Sequence, residues 1–403
     1  MSTATTPPPA PVRPGHLAWL DGELRQWQAA GLVDATAADA IRARYVAVRR
    51  FSLVRLLLGL GACFVGIGLI WLVATNLDRL SPLLRFLLVT VLWLGFTAAA
   101  EVIAGRRAQR GGEAGSAVLG AARVLAALSF GAVVFQAAQS LQVPAYEARL
   151  LGVWGLGALL YAYAVAGVAP LLVGLAVATG WYVWHVAEAS NSGLGFVSAI
   201  LVGGVLAAAV AVIHAARWLP AFAQAWREVG ALLVLVGLFA AALPYVTAED
   251  FTWPALLTVG LVVAVAAAAA AAVVSDRDGR LELLVPVAAL AVGMLLVEWD
   301  PGVTDTREVT GTAYLHAFVS VAVYLAAAGW YAVLGVLRDT SRLTVLATAA
   351  LVVFTTVQAF AVFAPIISGA TLFLLVGAVL VGWGFGVDRG RRHLVATIEG
   401  SAS

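Results

Sequence analysis

From Leu53 to about Val387 the chain alternates apolar runs of about 20 residues with short breaks rich in Arg, Asp, Gly and Pro. At 1.5 Å per residue, a helical run of that length crosses the roughly 30 Å hydrocarbon core of a bilayer. The pattern predicts twelve spans, at about 53–75, 83–104, 117–140, 150–166, 169–187, 193–215, 228–247, 254–274, 281–298, 312–337, 342–363 and 366–387. Because the fourth and fifth are short and separated only around Pro170, the count lies between ten and twelve. The fold class expected is all-α, a polytopic transmembrane helix bundle occupying residues 51–388.

Ahead of the bundle the periodicity changes. Residues 1–14 (MSTATTPPPAPVRP) are Pro- and Thr-rich and are expected to be a disordered tail, with no apolar region of a cleavable signal. Within 15–50, Leu17, Leu20, Leu24 and Trp27 recur at helical spacing, Gly31 ends that run, and Thr36 with Asp39 reads as a capping box. Ile41, Tyr45 and Val48 then supply the apolar stripe of a second helix. The expectation is a short N-terminal cytoplasmic helical hairpin, followed at the other end by a cytoplasmic tail at 389–403. Two short helices bury too little to stand alone, so the hairpin should pack on the bundle, on another copy in a homo-oligomer, or on a cytoplasmic protein partner.

Composition sharpens the class. The 403 residues are 62% hydrophobic and 11% charged, far from the quarter charged of soluble domains. Net charge is +2, with no basic tract to grip a polyanion, so nucleic acid is excluded and membrane lipids are the expected partners. All 24 basic residues are Arg, which leaves no lysine for Schiff-base chemistry or a phosphate-binding P-loop. Threading twelve spans places eighteen of the arginines on one side and nine acids on the other. Short cytoplasmic loops carry the basic excess, so both termini are expected in the cytoplasm. Trp71, Trp154, Trp181, Trp184, Trp253 and Trp299 then fall near outer helix ends, and Trp218, Trp226, Trp330 and Trp383 near inner ends, as belt residues do.

Ionisable groups inside spans are few, and each is costly unless paired or snorkelled. Arg55, Glu101 and Arg123 fall in the same cytoplasmic third and form a candidate intramembrane polar cluster. Arg123, about 9 Å deep, is expected to reach the headgroups by snorkelling. Ser129, Gln136 and Gln139 lie within about 80° on a helical wheel and form a candidate polar stripe, read first as interhelical glue. Asn76, Asp78 and Arg85 make a polar corner at the first hairpin. The five histidines show no metal-ligand spacing, although His185 and His316 lie near outer ends where an imidazole could couple to protons. There is no GxSxG elbow, and the single Cys63 sits among Gly59, Gly61, Gly66 and Gly68, which read as helix-packing positions, as do Ala199, Gly203, Ala207 and Ala211. No catalytic residue, cofactor or metal is expected, and the chain is read as no enzyme.

The segment Ser275-Asp276-Arg277-Asp278-Gly279-Arg280 resembles the loop motif of major facilitator transporters, but the loop between spans two and three, AGRRAQRGG, lacks it. A second resemblance is broader. GLVDATAADAIRARY, LVATNLDRLSPLLR, QAAQSL and LLGVWGLGALLYAYAV resemble the bacterial predicted-membrane-protein family called domain of unknown function 2157, over about residues 17–187. In that family the first span exits through Asn-Trp, an acid and later a base; Asn76, Asp78 and Arg85 match, while Leu77 replaces the Trp and the Tyr that follows the family's Gln is absent after Gln139. The resemblance implies a bacterial inner-membrane architecture with a cytoplasmic hairpin and no established chemistry. The function expected is that of a structural or regulatory multi-pass membrane protein, with a small-solute transporter or permease as the alternative.

Overall fold

The computed structural model describes residues 10–12, 14–47, 53–76, 81–109, 116–142, 147–217, 219–243, 245–299, 311–338 and 340–358, with the single positions 144 and 382. In chain order these form β1 (Ala10–Val12), α1 (Pro14–Ala29), α2 (Ala35–Ala43), β2 (Tyr45–Ala47), α3 (Leu53–Asn76), α4 (Pro82–Gln109), α5 (Ala117–Ser140) and α6 (Ala148–Ala164). There follow α7 (Val168–Ser190), α8 (Gly193–Ala216), α9 (Pro220–Ala241), α10 (Ala255–Val274), α11 (Arg277–Glu298), α12 (Gly311–Leu337) and α13 (Ser341–Gln358). Among the described residues nine helices, α4, α5 and α7 to α13, are long and apolar enough to cross a membrane, and α6 and the Leu57–Gly68 part of α3 are shorter apolar helices. The first eleven expected spans each fall on one of α3 to α13. The twelfth, 366–387, lies outside the described residues apart from Gly382.

One boundary differs in a way that matters. Helix α9 begins at Pro220 rather than near residue 228 and ends at Ala241. Proline suits a first helical turn, where its missing N–H has no partner to lose, so the polar segment from Pro220 to Glu228 is already helical. Arg227, expected in a loop, is inside that helix and buried.

The amino-terminal region also differs in detail. The cap of α2 is Asp34, whose carboxylate accepts the Ala37 N–H at 2.6 Å, rather than Thr36, because the helix starts at Ala35, two residues earlier than a cap at Thr36 implies. That helix stops at Ala43, so Tyr45 is not on its stripe. Tyr45–Ala47 instead pairs in parallel with Ala10–Val12, which places a three-residue strand in the Pro-rich tail. Arg42 donates to the Tyr45 carbonyl and pairs with Asp21 of α1 at 2.5 Å, tying the two helices together.

Helix association in lipid gains little from apolar burial, because acyl chains are as apolar as leucine; close packing decides it. Central α8 shows this. Ala199, Ala207 and Ala211 are buried, as expected, and a Cβ on Gly230 of α9 would come within 3.0 Å of the Ala208 backbone nitrogen. Between α6 and α7, a Cβ on Gly155 would meet the Ala178 nitrogen at 2.8 Å. In α3 only Gly66 is used this way, against Leu128 of α5; a Cβ at Gly61 or Gly68 would meet nothing because these lie on the other side of the helix, and one at Gly59 meets nothing although it lies two turns from Gly66 on the same face. The main core runs through α8 to α13 and includes Tyr324 stacked on Phe354, with ring centroids 3.7 Å apart.

Candidate functional site

Short connections make α4, α5 and α6 run antiparallel in turn, which brings the late part of α4, the early part of α5 and the late part of α6 to one end of the bundle. There Glu101 of α4 accepts two hydrogen bonds from Arg123 of α5, from Nε at 3.1 Å and from Nη2 at 3.0 Å. Tyr161 of α6 donates its hydroxyl to the same carboxylate at 3.0 Å. The fork-on-fork geometry is the strongest form of charged hydrogen bonding. Arg123 is therefore paired rather than snorkelled, its side chain only 12% exposed against 39% for Glu101. The side chain of Arg55 lies outside the described residues, so a third charged member is not placed.

The candidate stripe divides. Ser129 and Gln136 are buried, but Gln139 is exposed, on the open side of a last turn whose other side buries Ala138. The Ser129 hydroxyl donates to the Leu125 and Ala126 carbonyls of its own helix, so it does not bridge helices as expected. At the corner, the side chains of Asn76 and Asp78 lie outside the described residues; Arg85 is half-buried and has an interaction partner.

A second charged cluster has no counterpart in the sequence reading. Helices α9, α11 and α12 meet at the same end of the bundle as Glu101, and Glu282 of α11 takes both Arg227 of α9 and Arg338 just beyond α12. Arg227 Nε donates to Glu282 Oε1, and Arg227 Nη2 to Oε2 at 3.3 Å; Arg338 Nη2 lies 3.1 Å from the same Oε2. Side-chain exposure is 9% for Arg227, 2% for Glu282 and 30% for Arg338. Pro286, one turn after Glu282 within α11, cannot donate to the Glu282 carbonyl. Next to the triad, the ends of α8, α11 and α12 enclose a cavity of about 250 Å³ bordered by Glu282, Arg338, Ser275 and Asp276.

A third polar group also escaped the sequence reading. Trp226 Nε1 donates to the Tyr163 hydroxyl at 3.1 Å, and that hydroxyl lies 2.8 Å from His214 Nε2. Phe222 packs edge-on against both rings. Trp226 therefore joins helices rather than serving as a belt residue alone. The same holds for Trp154, which donates to the Ala127 carbonyl at 2.9 Å across the face left open by Gly131.

Among the described residues no group of three or more His, Cys, Asp and Glu side chains could hold a metal ion. His316 is held by the Leu296 carbonyl at 2.9 Å and packs on Trp299, while His185 stacks on Trp181. The segment Ser275 to Arg280 is a helix start: Asp276 caps α11 by accepting the Gly279 N–H at 2.9 Å.

The bundle, its lipid-facing apolar sides and the internal ion pairs describe a membrane protein. No curated protein and no solved structure matches the chain. Residues 25–169, which run from α1 through α6 to the start of α7, match the model of a family described as predicted membrane protein (DUF2157), so the likeness read from the sequence is shown over that stretch.

Proposed function

We propose that the protein is a structural or regulatory component of a bacterial cytoplasmic membrane, not an enzyme. In this reading it has about twelve spans, both termini in the cytoplasm, and an N-terminal unit at 15–50 that meets a cytoplasmic protein partner. One observation carries it. Two sets of charged side chains within the bundle close on each other, Glu101 on Arg123 and Glu282 on Arg227 and Arg338, and each set joins three helices at one end. Such pairs fix helix positions, whereas a solute path would leave polar groups facing it. The arginine-rich connections lie at that same end, which supports its assignment to the cytoplasm.

Two measurements test this. Reporter fusions after Arg110 and after Asp305 should report opposite compartments; the same compartment would refute the topology. A metabolite-uptake screen should then find no solute whose flux is lost in a deletion strain, restored by the wild-type chain, and lost again in Gln139→Leu at equal protein level. A solute that meets all three conditions would replace this reading with that of a small-solute transporter.

A further inference from the structure

The end of the bundle opposite Glu282 holds a smaller cavity, of about 100 Å³, where the last turn of α11, the connection from α9 to α10 and the start of α12 meet. Its walls are apolar at Leu243, Val246 and Val297 and charged at Glu249 and Glu298, both exposed. Among the described residues the lining holds no guanidinium, and the chain has no lysine, so two carboxylates stand there with no basic side chain between them. Helix α11 ends at this cavity, and a helix C-terminus carries partial negative charge. His316, 6% exposed, completes the lining. Its Nε2 lies 2.9 Å from the Leu296 carbonyl, which only accepts, so the neutral ring carries its proton on Nε2. Nδ1 is then an unprotonated acceptor, with no hydrogen-bond partner among the described residues. Unlike the sealed Nδ1 of His214 it keeps accessible surface, and the cavity is what the ring borders. A lone pair, two carboxylates and a helix C-terminus together suit a cation that donates hydrogen bonds.

We infer that this cavity binds a primary ammonium group, which donates to Nδ1 of His316 and to the carboxylates of Glu249 and Glu298. An ammonium brings three N–H donors to these three acceptors. Charge-assisted hydrogen bonds span about 2.8 Å, a looser fit than metal ligation at about 2.0–2.3 Å, and no three such side chains among the described residues converge closely enough for a metal ion. The volume is about three times the roughly 30 Å³ share of one water molecule, room for the ammonium and a short methylene stem along Leu243 and Val246. Trp299, edge-on to His316 with ring centroids 5.4 Å apart, adds an aromatic wall. A phosphatidylethanolamine headgroup and a free amine share this chemistry, and a cavity at helix ends is open to either.

The test uses the full chain, purified and delipidated in a mild detergent at slightly alkaline pH, with a chelator present so that divalent cations contribute nothing. Melting is followed by tryptophan fluorescence while either ethanolamine, against choline at equal ionic strength, or phosphatidylethanolamine, against phosphatidylcholine in mixed micelles, is titrated. The two reference compounds carry a charged nitrogen without an N–H donor. A saturable rise in melting temperature is expected with at least one primary amine, and which one acts identifies the source of the ammonium. Glu298→Gln should raise the half-saturating concentration about tenfold, as loss of a hydrogen bond between charged groups does, and Glu249→Gln combined with Glu298→Gln should abolish saturation. Both carboxylates are exposed, so these variants keep the fold. Absence of a saturable rise with both primary amines in the wild-type chain would overturn the site. So would an equal rise with choline or phosphatidylcholine, or an unchanged half-saturating concentration in the double variant.

Discussion

Replacing Glu282 by Gln removes one negative charge from between two guanidiniums and alters almost no volume. Arg227 and Glu282 are 9% and 2% exposed, so neither can recover water in place of the lost partner. Breaking a buried ion pair from one side costs about 3–5 kcal/mol, and here the residual amide leaves two like charges facing each other, which puts Glu282→Gln near the upper part of that range. Arg227→Leu should cost less, about 2 kcal/mol, because Glu282 keeps Arg338 as a partner. The double variant Arg227→Leu with Glu282→Leu removes both inaccessible charges, leaving Arg338, which is 30% exposed and can turn toward the headgroups. It should therefore be more stable than Glu282→Gln. Reversible unfolding in mixed micelles gives the free energies, and the two single leucine variants complete the cycle. A cost for Glu282→Gln below about 1 kcal/mol, or single costs that simply add in the double variant, would refute the view that this triad holds α9, α11 and the end of α12 together.

The cluster of Glu101 is more exposed, so Glu101→Gln should cost only about 1–2 kcal/mol in the same assay, and Tyr161→Phe about 1; no change for either would return Arg123 to the status of a snorkelling side chain. Gly230→Val should lower stability by about 2 kcal/mol because α9 must move off the Ala208 backbone, while Gly61→Val, where a Cβ meets nothing, should be neutral; equal effects would contradict the helix contacts. Asp34→Ala should weaken α2 by about 1 kcal/mol, read as faster amide exchange across Ala37–Ala40, and unchanged exchange would place the cap elsewhere.

The helices were legible because the bilayer imposes one rule on every segment, that backbone polar groups be satisfied internally over a fixed thickness. Leu53, Ala117 and Gly193 could be read as span starts for that reason, and α3, α5 and α8 begin at those residues. Outside the bilayer that rule is silent. Tyr45 and Val46 carry aromatic and β-branched side chains that fit a strand as well as a helical stripe, and only the pairing with Ala10–Val12 decides between them. Gly66 was legible as a packing residue, but nothing in the sequence separates it from Gly59 or Gly61; the distinction from Gly61 is the rotational position of α3, and from Gly59, on the same face, it is the depth at which Leu128 of α5 packs.

The candidate site divides along the same physical line. Glu101 and Arg123 stand out in a sequence because each interrupts an apolar run, and their pairing follows from adjacent antiparallel helices at equal depth. Arg227 and Arg338 lie just outside expected spans and so read as solvated loop charges, while Glu282, the second residue of the ninth expected span, passes as a charge at a helix end. What buries them is the first two turns of α9, started by Pro220, together with α11 crossing close enough to seat Glu282 between the two guanidiniums. Hydropathy measures the preference of a residue for lipid, and a charge sealed inside protein near a helix end answers to a different condition, the presence of a counter-charge on a helix distant in sequence. A charge count at the bundle end could have prompted the search, because arginines outnumber acids there, so a carboxylate drawn between helices has more than one guanidinium to collect.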